Sequence, residues 1–218
     1  MNWIEEYATI FFDLDGLLVD TEPLHYESYQ CLFKQYNTPC PWNFLTYISI
    51  AHTDTLRDAI MTCAPHLFKE NSWENLYEEK QSIYNALLEK TQVRLMPGVQ
   101  KILQYVQEAN IPHAVVTNST SKQAFLIRKS LPLLATIPHW ITREEYHHSK
   151  PSPDSYLRAI QILGASNKML GFEDSLKGIY ALQAASITPV LICKSTHPQL
   201  AKIPHGLSHI YSSFNDII

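Results

Sequence analysis

The sequence contains no CxxC pair. Its four cysteines, Cys31, Cys40, Cys63 and Cys193, are scattered, a spacing that offers neither a zinc site nor a redox motif. A reduced, cytoplasmic setting is the simplest expectation, although an even number of cysteines leaves disulfides open. There is no basic stripe either. Lysine plus arginine number 17 against 21 aspartates and glutamates, a formal net charge of −4, whereas a nucleic-acid backbone selects a basic face. No apolar segment approaches the roughly 20 residues a membrane helix needs. The opening Met1-Asn2-Trp3-Ile4-Glu5-Glu6 lacks the basic start and apolar run of a secretory signal. Internal repeats and low-complexity segments are absent too. What remains has the composition of an ordinary globular protein, and 218 residues suffice for one full core and a smaller appendage.

Short runs rich in Val, Ile and Phe end in polar residues at Thr9–Phe12, His113–Val116, Trp140–Thr142, Met169–Phe172 and Pro189–Cys193. Helical patterns lie between most of them, at Val99–Glu108, Lys122–Leu131, Asp154–Leu163 and Leu176–Ala185, and His209–Ser212 suggests a last edge strand. Such alternation implies an α/β fold, a Rossmann-like parallel sheet with helices on both faces. One stretch breaks the pattern. Leu24–Tyr36, Asp54–Cys63 and Ser72–Lys90 carry apolar residues at three- and four-residue spacing with no convincing strand between them. The expected organisation is therefore a core of residues 1–20 and 91–218, with a helical cap domain, residues 21–90, inserted after the first strand. The aromatics Trp42, Phe44, Tyr47, Trp73 and Tyr77 are expected in the core of that insert.

Open parallel sheets bind ligands at the carboxyl ends of their strands. Thr9 through Gly16 read TIFFDLDG, so an apolar strand ends in Asp13 and Asp15. Side chains two apart on an extended chain point the same way, and like charges that close repel unless a cation intervenes. Asp174 adds a third carboxylate from another strand end, and oxygen-rich clusters of this kind suit magnesium. The Thr117 hydroxyl precedes a helix whose free N–H groups are expected, from Asn118 through Thr120, to form an anion-binding end. Pro151 holds Lys150 extended ahead of a helix that Ser152 is expected to cap, with Pro153 at its first position. Magnesium, a lysine, a hydroxyl and a helix end together fit a phosphate. Asp13 is then the nucleophile, forming an aspartyl-phosphate, and Asp15 the acid/base. His147 and His148 have no matching ligand set and read as a polar loop.

Asp13-Leu14-Asp15-Gly16, Thr117-Asn118-Ser119, Lys150-Pro151-Ser152-Pro153-Asp154 and Gly171-Phe172-Glu173-Asp174-Ser175 resemble, in this order, the motifs of the haloacid dehalogenase-like hydrolase superfamily. The stretch from Asp13 through Asp20-Thr21-Glu22-Pro23 resembles the subgroup of phosphoglycolate phosphatases, sugar-phosphate phosphatases and β-phosphoglucomutase. The resemblance implies Asp13 as nucleophile and metal ligand, and Asp15 as acid/base with its backbone carbonyl on the metal. It implies Thr117, Asn118 and Lys150 at the phosphate, Asp174 on Mg2+, and Glu173 assisting the metal through water. Dehalogenases of the superfamily usually lack the second acid, so Asp15 favours phosphate chemistry. Thr21, Glu22 and His25 follow the catalytic strand and are candidate substrate contacts.

The sequence departs from the family pattern in places. Tyr47-Ile48-Ser49-Ile50-Ala51-His52-Thr53 lacks the glycine usual in that cap loop, Ser149 stands where a glycine often precedes the lysine, and Thr142-Arg143-Glu144 replaces a Gly-Asp pair. The expected function is a magnesium-dependent phosphatase acting on a small phosphorylated metabolite, as a monomer or weak dimer with no nucleic-acid or membrane partner. The alternatives are a sugar phosphomutase of the β-phosphoglucomutase type and a non-enzymatic phospho-accepting regulatory module.

Overall fold

The computed structural model describes residues 3–52, 56–165, 167–203, 207 and 209–217. Six strands form one sheet: β1 (Thr9–Phe12), β2 (His113–Val116), β3 (His139–Ile141), β4 (Met169–Glu173), β5 (Thr188–Ile192) and β6 (Ile210–Tyr211). All pairings are parallel, in the order β3-β2-β1-β4-β5-β6. This is the Rossmann-like α/β architecture that the alternation implies. β1 and β2 are buried along their whole length, because strands covered on both faces read as continuous apolar runs. The two outer strands are only partly covered.

Eight α-helices are described: α1 (Glu22–Gln35), α2 (Phe44–Ala51), α3 (Leu56–Cys63), α4 (Trp73–Lys90), α5 (Val99–Glu108), α6 (Ser121–Ser130), α7 (Asp154–Leu163) and α8 (Leu176–Ala184). α5 buries Val99, Ile102, Leu103 and Val106, one stripe at helical spacing. Alternation along β1 sends Phe11 and Phe12 to opposite faces of the sheet. Phe12 stacks on Phe172 at 5.4 Å and meets Phe214 edge-on, while Phe11 meets Tyr156 at 6.2 Å.

The chain packs as two compact units, Met1–Asp20 with Val93–Ile218, and Thr21–Gln92. The second contains α1 to α4, around a core that includes Tyr29, Leu32, Phe33, Tyr47, Ile60 and Leu76. Trp42, Phe44 and Trp73 pack against that core. Tyr77 is 41% exposed and lies against Trp73 at 5.6 Å. The stretch expected as a cap loop around Tyr47 is mostly α2, started by Asn43, whose side chain accepts from the Thr46 N–H. Thr53, Asp54 and Thr55, including the start of the helix expected over Asp54–Cys63, lie outside the described residues; α3 is described from Leu56.

In the first unit the chain leaves and re-enters side by side. Val19 bridges antiparallel to Leu95, Asp20 N donates to Arg94 O at 2.9 Å, and Met96 N to Leu18 O at 3.0 Å. Gly98 starts α5 at φ +84°, and a Cβ there would run into the backbone of Phe214 and Asn215. Gly98→Ala should therefore cost more than the roughly 1–2 kcal/mol of a left-handed L-residue alone, a loss that urea denaturation would register. None of the four cysteines is disulfide-bonded. No described helix is long and apolar enough to cross a membrane.

Candidate active site

The strand order reverses at β1, which has β2 on one side and β4 on the other. Ligands of open α/β sheets bind beyond the carboxyl ends of strands at such a point. Asp13 is the first residue past β1, and its N–H donates to Phe172 O of β4 at 3.0 Å. Thr117 follows β2, Glu173 ends β4, and Asp174 comes next. Lys150 arrives from the loop before α7, through a cis Lys150-Pro151 peptide.

Lys150 ties these ends together. It is 3% exposed. Its Nζ donates to Asp13 Oδ1 at 2.5 Å, Glu173 Oε1 at 2.6 Å and Val116 O at 2.7 Å. All three ammonium hydrogens are thereby engaged. Burial works against the charge on Lys150, but Asp13 and Glu173 outweigh it and hold the ammonium well above its ordinary pKa. Asp13 moves the other way from a usual surface acid. Burial first, then the negative charge of Glu173, push its pKa well up; Lys150 opposes them, and Asp174 and Asp15 add to the rise.

Asp15 is held by other groups. Its Oδ2 accepts from the Ser119 hydroxyl at 2.7 Å and the Thr117 hydroxyl at 3.3 Å. Two carboxylates two residues apart thus sit in different surroundings, one desolvated beside an ammonium and one on hydroxyls. Such a difference lets paired acids take separate roles. Thr117 Oγ1 also accepts from Ser119 N at 2.9 Å. The Asn118 side chain faces the loop interior: its Oδ1 accepts from Lys150 N at 3.2 Å and lies 2.9 Å from the Tyr146 hydroxyl, which donates to Thr117 O at 2.7 Å.

Two local expectations are corrected. The N-terminus of α6 does not leave all its N–H groups free, because those of Thr120, Ser121 and Gln123 are already engaged. Ser121 N donates to the Glu144 carboxylate, Gln123 N to Thr120 Oγ1, and Thr120 N to Gln123 Oε1. Nor does Ser152 cap α7. Pro153 occupies the cap position, and the Ser152 hydroxyl donates to Asp154 Oδ1 at 2.6 Å. That bond and the His148 N–H lower the Asp154 carboxyl to about 2. His148 is otherwise a surface residue beside Asp154, in keeping with a polar loop.

Asp13, Glu173 and Asp174 each present an oxygen within 4.8 Å of the others, and all three residues are buried. Two of these carboxylates, Asp13 and Glu173, bond the Lys150 ammonium, and burial makes the negative charge of the cluster costly. Hard oxygen donors in this charge balance suit a divalent cation. The Asp15 carboxylate is outside the cluster, on its hydroxyl partners.

Thr21, Glu22 and His25 all fall in the Thr21–Gln92 unit. There Thr21 is buried at the start of α1, Glu22 pairs with His52 at 2.5 Å, and His25 stacks on Tyr84 at 3.9 Å with its Nδ1 2.8 Å from Lys80 Nζ. Sequence reasoning passed over Ser119, Tyr156 and Gln199. Ser119 had a signal, a second hydroxyl two residues after Thr117. Gln199 had none: it comes from the segment after β5, donates to Asp174 O at 2.5 Å and accepts from Leu176 N at 3.1 Å.

The model of the family described as haloacid dehalogenase-like hydrolase matches residues 10–192. A phosphorylated carbohydrates phosphatase of Thermotoga maritima is 28% identical over 187 residues, covering 82% of this chain and 81% of its own. A β-phosphoglucomutase of Mycobacterium bovis is 26% identical over 212 residues, 86% of this chain and 81% of its own. A crystal structure of a HAD hydrolase, family IA, variant 3, from Entamoeba histolytica superposes with a TM-score of 0.80 at 27% identity, covering 96% of this chain and 95% of that one. The chain belongs to the haloacid dehalogenase-like hydrolases, in the subgroup of phosphatases and β-phosphoglucomutase-like enzymes.

Proposed function

We propose that the protein is a magnesium-dependent phosphatase that hydrolyses a small phosphorylated metabolite, a sugar phosphate or similar phosphomonoester, through an aspartyl-phosphate on Asp13. The observation that carries this reading is the pair of environments at the end of β1. Asp13 lies in the carboxylate cluster against Lys150, while Asp15 is held apart by Ser119 and Thr117. The substrate class follows the Thermotoga maritima relative, named for phosphorylated carbohydrates.

Asp13 and Asp174, with the backbone carbonyl of Asp15 and with Glu173 assisting, would hold the magnesium ion. Bound there, it supplies positive charge that offsets repulsion between the carboxylate and a phosphate dianion. An Asp13 oxygen forms a bond to phosphorus as the bond to the leaving oxygen breaks. Asp15 gives its proton to that oxygen, releasing an alcohol. Asp15 then takes a proton from water, whose oxygen attacks phosphorus, frees Asp13 and leaves inorganic phosphate. Lys150 fixes the Asp13 carboxylate throughout, and the Thr117–Ser119 loop lies beside the transferred group. We place the protein in the cytoplasm, as a monomer or weak dimer.

The test is phosphate release from a panel of sugar phosphates, glycerol phosphate and p-nitrophenyl phosphate, with magnesium and with EDTA. Sustained release that stops on chelation is the expected result. Undiminished release in EDTA would remove the metal from the reading. Interconversion of sugar-phosphate isomers without release would replace the phosphatase by a mutase, the second reading that the Mycobacterium bovis relative favours.

A further inference from the structure

We propose that Tyr156 is a positioning residue: its hydroxyl, together with the gap left by Gly178, fixes the Glu173 carboxylate so that Glu173 holds the Lys150 ammonium against Asp13. The consequence for turnover rests on the function proposed above; the placement itself does not.

Tyr156 is wholly buried on α7. Its ring meets Phe11 at 6.2 Å and lies 4.8 Å from Lys150 Nζ. Phenylalanine would satisfy that packing, so the hydroxyl needs a separate reason, since a buried hydroxyl without a partner is costly. The reason is Glu173: the hydroxyl donates to its Oε1 at 2.6 Å. The same oxygen accepts from Lys150 Nζ at 2.6 Å, and Glu173 is fully buried.

Gly178 leaves the room that this carboxylate occupies. It lies in α8, where glycine weakens a helix, and its N–H donates to the Ser175 hydroxyl at 3.2 Å. A Cβ at 178 would fall inside the Glu173 carboxyl group. A free glutamate would swing aside. This one cannot do so without giving up both short bonds to Oε1, which would leave Lys150 with only Asp13 and Val116 O. Tyr156 and Gly178, from two helices, thus both set the place of one carboxylate. Neither touches the reacting atoms, and both act through Glu173 and then Lys150.

Lys150 gives a direct readout. A buried ammonium with all three hydrogens bonded exchanges slowly with water, so its 1H–15N signal should be visible in the metal-free protein. Assignment comes from the disappearance of that signal in Lys150→Met. In Tyr156→Phe, which keeps the ring, the signal should shift and broaden. Gly178→Ala should do the same; if that variant does not fold, Tyr156→Phe decides alone. With p-nitrophenyl phosphate, kcat of Tyr156→Phe should fall on the order of tenfold, as for one lost hydrogen bond to a charged group, with KM unchanged. A wild-type protein without a slowly exchanging Lys150 ammonium overturns the proposal. So does a Tyr156→Phe signal unchanged in position and width, or a raised KM at constant kcat. If the signal responds in a protein with no turnover on any phosphomonoester, the positioning role stands and the phosphatase reading falls.

Discussion

Asp13→Asn is expected to lower phosphate release by roughly 10⁴-fold or more, the scale of losing the covalent nucleophile proposed above, and yet to raise the melting temperature of the chelated protein. The two effects have one origin. Asp13 sits at a buried place where burial and Glu173 both disfavour its charge and raise its pKa. Asparagine keeps the shape, removes one of three carboxylates and leaves Lys150 paired with Glu173. The pH dependence has a definite sign. Folded Asp13 holds its proton to higher pH than the unfolded chain does. Its contribution to stability is therefore full below the ordinary carboxylate range and is lost as pH rises through its raised pKa. In EDTA the two proteins should melt together below about pH 4, with the variant increasingly ahead at higher pH. Calorimetric scans across pH would check this. A variant that melts below the wild type at pH 7 would mean that Asp13 stabilises the fold, contrary to the charge balance described.

Lys150→Met does the opposite to stability. It keeps the length of the side chain and removes the ammonium bonded to both Asp13 and Glu173. Breaking a buried ion pair from one side leaves uncompensated charge and costs about 3–5 kcal/mol. Urea denaturation at neutral pH should show that loss, together with near-complete loss of turnover. Adding Asp13→Asn to Lys150→Met should recover part of the stability, because groups in contact do not contribute independently. Full additivity of the two changes would show that the pair is not coupled in solution.

The sequence carried the catalytic core well because its signals are local. β1, β2, α5 and α7 fall where the apolar runs and helical spacing place them. A strand buried on both faces leaves an unbroken apolar run, and α5 a clean stripe. α2 was not legible: Phe44–Ala51 is rich in aromatic and β-branched residues, which suit strands better than helices, and only Asn43 marked the start. Within the site, the meeting of Asp13, Lys150, Glu173 and Asp174 was readable, because each lies at an element end on the same side of a parallel sheet. What occupies those residues was not. Glu144 sits 23 positions from the Ser121 amide it engages, and Tyr156 lies 17 positions from Glu173. Those bonds depend on how loops and helices close in three dimensions, which residue spacing does not encode.

The paired exit and return at Val19–Leu95 and Asp20–Arg94 make the core a closed circuit with a detachable loop. A two-residue hairpin turn in place of the segment from Thr21 to Gln92 would remove none of the six strands and none of the carboxylates around Lys150. The helical segment is therefore a graftable module. Recombination can replace it at one seam while the Asp13–Lys150 contact is inherited intact, so the two parts of the chain are free to diverge at different rates.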